Sequence, residues 1–154
     1  MDTDSYASRT VRLRAGGRDL VFDLSHALFS SADIDVGSRL LLKAVAEGGW
    51  ARGARRGLDL GCGVGTLALA LSAMESGLAF LCRDRDALAR DFTRRNAERN
   101  GMELLGAERA LFLQGLEGAE KGFDLIVSNV PAKAGAPVLA DLVARSSGAL
   151  AAGG

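Results

Sequence analysis

The sequence predicts an α/β fold, a parallel sheet with helices packed against it. Three observations carry that expectation. A strand, a glycine-rich turn and a helix follow one another without a break, as Leu58-Asp59-Leu60, Gly61-Cys62-Gly63-Val64-Gly65 and the run Thr66 to Met74. Further short apolar runs alternate with helical stretches, and strands joined by a helical crossover pair in parallel with right-handed connections. At 154 residues, with 48% hydrophobic and 25% charged positions, the chain suits one domain, 1-154, around one core.

In chain order, residues 10-24 read first as a small hairpin. Val11-Arg12-Leu13-Arg14 alternates, Ala15-Gly16-Gly17-Arg18 turns and Asp19-Leu20-Val21-Phe22 returns, so the hairpin is expected at the periphery as an appendage to the core. Phe29 to Ser38 is a loop leading into a helix over Arg39 to Glu47, stopped by Gly48-Gly49. The first core strand and its helix follow at 58–74. A second, fully apolar strand is expected at Leu78-Ala79-Phe80-Leu81-Cys82, and a helix runs from Ala87 to Arg99, closed by Asn100-Gly101. Leu88 and Phe92 lie one turn apart on the buried face of that helix, while Arg90, Arg94, Arg95 and Arg99 read as a solvated basic side balanced by Asp91 and Glu98. Ala110-Leu111-Phe112-Leu113-Gln114-Gly115 is the expected third strand, and Phe123 to Asn129 the fourth. Pro137 opens a last helix that ends near Gly148. The expected strand order is 3-2-1-4.

Composition narrows the function classes. Nineteen basic residues against nineteen acidic leave no net field, so a nucleic-acid partner must be held by a local basic patch. Two cysteines, Cys62 and Cys82, have neither metal-site spacing nor a disulfide framework, and a reducing, cytoplasmic setting is expected, with no metal. The acidic start Met1-Asp2-Thr3-Asp4 is wrong for a signal peptide. His26, the single histidine, has no second ligand nearby and is read as a local hydrogen-bonding residue.

The glycine loop is where chemistry is expected. Glycines there permit positive φ and let a ligand approach the backbone, and the N–H groups of the following helix favour an anionic group. Gly61, Gly63 and Gly65 fall at Gly-x-Gly-x-Gly, with Thr66 where the dinucleotide fingerprint has its third glycine or alanine. Asp59 adds a carboxylate at the end of the strand, placed to receive an amino group. A zwitterionic amino-acid ligand has a use for that carboxylate, and NAD has none.

Leu-Asp-Leu-Gly-Cys-Gly-x-Gly resembles the first motif of the class I S-adenosylmethionine (SAM) methyltransferases, whose fold is Rossmann-like. Phe29-Ser30, then Asp35-x-Gly37-Ser38 and three leucines, resembles the entry segment of the "methyltransferase small" family, which includes ribosomal-RNA guanine-N2 methyltransferases and archaeal relatives. The resemblance implies a SAM-dependent N-methyltransferase acting on an exocyclic amine of RNA. It implies that Asp59, Gly61, Cys62, Gly63 and Gly65 hold the methionine end of SAM, that Asp84 holds the ribose, and that Phe29 and the segment Asp35 to Ser38, with Gly37, line the pocket. Ser128-Asn129-Val130-Pro131-Ala132-Lys133 stands where the family has Asn-Pro-Pro and an aromatic or aliphatic residue, which implies Asn129 and Pro131 as the catalytic pair.

The chain departs from that pattern at several positions. Counting back from Ala87 puts Cys82 where the family has the ribose-binding acid, with Asp84 two residues on. Gln114-Gly115 stands where relatives carry an acid for the adenine amine, Val130 replaces the first proline, and Ala132 replaces a base-stacking aromatic. The family's C-terminal strands are absent, so the domain reads as C-terminally truncated, with an apolar edge Leu125-Ile126-Val127 that suits a homodimer. Two other readings stay open: a non-catalytic SAM-fold binding module, and an NAD-dependent oxidoreductase.

Overall fold

The computed structural model describes residues 3–28, 33–116, 122–130 and 132–154. Two strands, β1 (Ala7–Ala15) and β2 (Arg18–Ser25), form an antiparallel hairpin. Then come α1 (Val36–Gly48), β3 (Arg56–Leu60), α2 (Thr66–Met74), β4 (Ala79–Asp84), α3 (Ala87–Arg99), β5 (Gly106–Arg109), β6 (Leu125–Val127) and α4 (Ala136–Ala149). The last four strands make one parallel sheet in the order β5-β4-β3-β6, which is the expected 3-2-1-4.

Local chemistry sets the helix limits. Asp35 caps α1 by accepting from the Ser38 backbone N–H at 3.1 Å, and Asp86 caps α3 by accepting from Leu88 at 2.9 Å. Gly49 in the left-handed region closes α1. The six residues Thr66 to Leu71 of α2 are all buried, so this helix is surrounded rather than amphipathic. It packs between the sheet and the hairpin.

The hairpin is no appendage. Leu20, Phe22 and Leu24 on β2 are at most 1% exposed and belong to the same apolar cluster as α2, α3 and β4. Its turn presses on the end of α2, where a Cβ at Gly16 would meet the Ala73 carbonyl oxygen at 1.8 Å. Asp23, also on β2, has a side chain only 3% exposed and is gripped from α3 by Arg95 and Arg99 at 2.7 Å each. Thr10 adds a hydrogen bond at 2.8 Å. Burial alone would raise the Asp23 pKa, but the Arg95 and Thr10 hydrogen bonds and the Arg99 and Arg95 charges hold it below the usual carboxylate value. Two of the four arginines expected on a solvated face are thus spent on binding the hairpin. A third, Arg94, donates to the Ala107 carbonyl at 2.8 Å.

The third parallel strand lies earlier than expected. Gly106–Arg109 pairs with β4, whereas 110–116 coils away in turns, with Phe112 at a φ of 47°. The reason is physical: an edge strand needs only one buried side chain, here Ala107, and the more apolar Leu113 and Leu116 are buried by a loop packing beneath the other face of the sheet. The fourth strand is likewise shorter than the run Phe123 to Asn129. Its start is already met by Leu150, which bridges Phe123 in parallel.

Candidate functional site

Most of the candidate residues among those described gather at the carboxyl ends of the parallel strands, where open α/β sheets bind ligands. A cavity of about 580 Å³ lies there, within the usual range for small-molecule sites, roughly 300–1,000 Å³. Its floor is the glycine loop between β3 and α2. Gly61, Gly63 and Gly65 have φ of 77°, 57° and 85°, values a side chain tolerates poorly. Nothing lies within 4 Å of a Cβ built at Gly61 or Gly63, so the backbone faces open space there. Gly65 instead turns inward against Thr93 and starts α2.

The loop is held from behind by α3. Thr93 Oγ1 donates to the Gly63 carbonyl at 3.0 Å, and Asn96 Nδ2 donates to the Val64 carbonyl at 2.9 Å. Asn96 also exchanges two hydrogen bonds with the backbone of Asp23, tying hairpin, helix and loop together through one amide. Sequence reading missed both residues. The signal was a pair of polar positions, Thr93 and Asn96, on the face that Phe92 already marks as buried.

Asp59, the last residue but one of β3, is 1% exposed. Its Oδ2 accepts from the Ala68 backbone N–H at 3.2 Å, while Oδ1 is buried with no hydrogen-bond partner among the described residues. Burial pushes its pKa up to about 7, against the Ala68 hydrogen bond and with a further push from the Asp84 charge. A buried acceptor lining a cavity and lacking a donor fits a ligand that brings one, such as an ammonium group.

Asp84 is the last residue of β4, so a carboxylate does stand at the strand end, and the placement of Cys82 there is corrected. Cys82 sits inside the strand, opposite Asp59, with no exposure. The neighbouring Cys62 sulfur and burial push its thiol pKa well up, so it stays protonated. Count-back failed because the turn into α3 is just Arg85 and Asp86. Asp84 accepts from Gly63 N–H at 3.0 Å and Asp86 N–H at 2.9 Å, and it lines the cavity with lone pairs to spare for hydroxyl donors. Cys62, on the loop, lines the cavity as well.

The far wall differs from expectation. Ala110, Leu111 and Phe112 line the cavity, and Gln114-Gly115 does not. This loop hangs on Arg83, which is 4% exposed within β4 and donates to the Phe112 and Gln114 carbonyls at 3.0 and 2.8 Å and to Glu108 at 3.1 Å. Arg83 follows directly on the apolar run Leu78 to Cys82, outside the expected strand, so its burial was not legible in the sequence.

Asn129 follows β6 at the mouth of the same cavity, beside Asp35, Ser38, Val130 and Lys133. Its Nδ2 donates to Asp35 Oδ2 at 2.6 Å and to Ser38 Oγ at 3.2 Å. Gly37 lies against this amide rather than over the cavity floor. Asp35 is therefore both helix cap and pocket residue. Phe29 and Pro131 lie outside the described residues. His26 stands exposed in the turn after β2, where Ser25 Oγ accepts from Ala27 N–H.

A glycine-floored pocket with an unpaired acid beneath it, at the carboxyl edge of a 3-2-1-4 sheet, defines a class: the domains of SAM-dependent methyltransferases. Comparison with known proteins makes this specific. The sequence matches the methyltransferase small domain over residues 19–154, and the chain belongs to that family. It is 32% identical over 132 residues to ribosomal RNA small subunit methyltransferase C of Actinobacillus pleuropneumoniae serotype 7, covering 83% of this chain and 38% of that protein. It is 28% identical to YbxB of Bacillus subtilis, over 95% of this chain and 71% of that one. Among solved structures, the T. thermophilus 16S rRNA N2 methyltransferase RsmC, in complex with AdoMet and guanosine, matches with a TM-score of 0.79 at 29% identity, over 95% of this chain and 40% of that one. The chain spans well under half the length of the rRNA methyltransferases it matches. The cofactor of the class is SAM, not NAD, and the described residues suit it: an orphan acid for the ammonium, a bare glycine floor and Asp84 for hydroxyls.

Proposed function

We propose that this chain transfers a methyl group from SAM to an amine nitrogen of RNA, with an exocyclic amine such as guanine N2 as the target class. The observation that carries the reading is the Asn129 amide, held at the mouth of the cavity whose floor is the glycine loop. When bound, the cofactor supplies an electrophilic methyl on its sulfonium.

The residues of this chain divide the remaining work. Asp59 Oδ1 accepts from the ammonium of the amino-acid end, and Asp84 accepts from ribose hydroxyls. Gly61 and Gly63 allow the close approach. An exocyclic NH2 is a poor nucleophile because its lone pair is delocalised into the ring. Asn129 Oδ1 accepts a hydrogen bond from one N–H of that amine and so orients the amine's lone pair, which is catalysis by position and electrostatics without a strong base, the proton shed by the methylated nitrogen passing to solvent. Pro131, the other residue of the catalytic pair that the resemblance implies, follows Val130 in sequence. Lys133 puts a cation at the mouth of the cavity, as a polyanionic substrate requires. The rRNA methyltransferases among the relatives favour RNA over protein.

Val130, in place of the family's first proline, keeps a second reading alive, that of a SAM-binding module without catalysis. One experiment decides between them. Tritiated methyl transfer from SAM to total RNA of cells lacking this protein is expected with wild type and absent with Asn129→Ala, while calorimetric SAM affinity is the same for both. Tight SAM binding with no label on RNA or protein from wild type would establish the module instead.

A further inference from the structure

We infer that Asp35, with Ser38 and Gly37, positions the Asn129 amide by fixing which end of it faces the substrate. The inference rests on the reading of Asn129 as acceptor for the target amine. An asparagine amide has nearly the same shape in its two flipped states, but they are chemically opposite. With the oxygen toward the incoming NH2 it accepts a hydrogen bond; with the nitrogen there, donor would meet donor.

The start of α1 settles the choice. Asp35 Oδ2 lies 2.6 Å from Asn129 Nδ2 and already accepts from Ser38 N–H at 3.1 Å, so an amide oxygen in that place would face an acceptor. Ser38 Oγ lies 3.2 Å from the same nitrogen, and Ser38 is 8% exposed. Both amide hydrogens are therefore engaged. Oδ1 remains as the acceptor to offer. Gly37 permits the approach: a Cβ there would stand 2.8 Å from Asn129 Oδ1 and 2.8 Å from Asp35 Oδ2, closer than packed atoms tolerate. The contact joins residues 94 apart in sequence, so the start of the helix that precedes β3 reaches across the site to the second residue after β6.

This makes Asp35 a positioning residue, distinct from a mere helix cap, and the two roles are separable. Asp35→Ser keeps a good N-cap but is too short to hold the amide. It is expected to lower turnover at saturating RNA by about ten- to a hundred-fold, the scale of one charge-assisted hydrogen bond, with SAM affinity and melting temperature unchanged. Ser38→Ala should lower turnover in the same direction by less. A readout independent of activity comes from NMR of the free protein, in which the two Asn129 side-chain NH2 signals should move from hydrogen-bonded shifts toward those of a solvent-exposed amide in Asp35→Ser. If Asp35→Ser turns over like wild type while Asn129→Ala is inactive, or if the NH2 signals do not move, the positioning inference fails and the acceptor reading stands. If Asn129→Ala itself turns over like wild type, the acceptor reading fails and takes this inference with it.

Discussion

The two sides of the cavity are built differently. The side of the glycine loop, Asp59 and Asp84 rests on α3 and the hairpin through buried polar side chains, Thr93, Asn96 and Asp23. The opposite side has Asn129 pinned by the start of α1, but beyond it α4 buries only Leu142 and Ala149 and exposes Val138, Leu139 and Val143. On the proposed reading, the methyl donor would sit on the firmly packed side and the methyl acceptor would meet the thinly packed wall.

The sharpest way to break this contrast is at Asp23. Asp23→Ala strands two arginines at the hairpin interface, and removing one partner of a buried ion pair typically costs 3–5 kcal/mol; with both arginines partly exposed, about 2–4 kcal/mol is expected. Urea unfolding measures it. A loss below about 0.5 kcal/mol would show that the hairpin is peripheral after all. Asp23 also carries a pH signature: because its folded pKa is lowered, its stabilisation is present near neutrality and is lost on acidification through that lowered value.

Next in size is Asp59. Asp59→Ala should weaken SAM binding by roughly ten- to a hundred-fold, about 1.5–3 kcal/mol, as a charge-assisted hydrogen bond is lost. Asp84→Ala should weaken SAM binding too, since Asp84 stands at the strand end without displacement. Isothermal calorimetry compares both with wild type. Equal binding by all three proteins would remove the loop from the cofactor site.

The same carboxyl predicts a pH effect. Asp59 titrates at about 7 in the free fold, and an ammonium partner favours its ionised form. Below that pH, binding must also expel a proton, so SAM affinity should fall by up to about tenfold per unit. In Asp59→Asn the slope should vanish. For stability the sign reverses. The folded chain holds this proton between the ordinary value of 3.8 and about 7 where the unfolded chain does not, so Asp59's contribution to stability falls as pH rises through that window. Above pH 7, Asp59→Asn should therefore be more stable than wild type even as it binds SAM less well.

The smallest effect belongs to the outer wall. Val143→Ser, at a position 69% exposed, should change stability by less than about 0.5 kcal/mol. A larger loss in thermal melting would mean that α4 is packed more firmly than its exposure suggests, and the contrast would weaken.

Legibility in the sequence follows the same division. The glycine loop, α2 and α3 could be read to the residue because their signals are local: glycines at a turn, an aspartate cap, an Asn-Gly stop. The third strand could not, since Gly106–Arg109 offers one buried side chain and the tempting apolar run after it packs as a loop on Arg83. Asp84 was visible as a carboxylate but its place at the strand end was hidden by the brevity of the turn. The bonds from Asn96 to the loop and from Asp35 to Asn129 span 32 and 94 residues, and no periodicity announces contacts at that range. The described side chains around the cavity were legible one by one; the scaffolding that holds them was not.

The hairpin bears on how such a fold passes between genes. The family segment begins at residue 19, one residue into β2 and past all of β1. A recombination or cloning junction there would discard Thr10 along with the strand that covers β2, leaving Asp23 and Asn96 to hold the glycine loop through an unzipped partner. The smallest piece that can be exchanged intact therefore starts no later than Ala7, and a graft cut at the family boundary should inherit the SAM fingerprint yet arrive with its loop loosened.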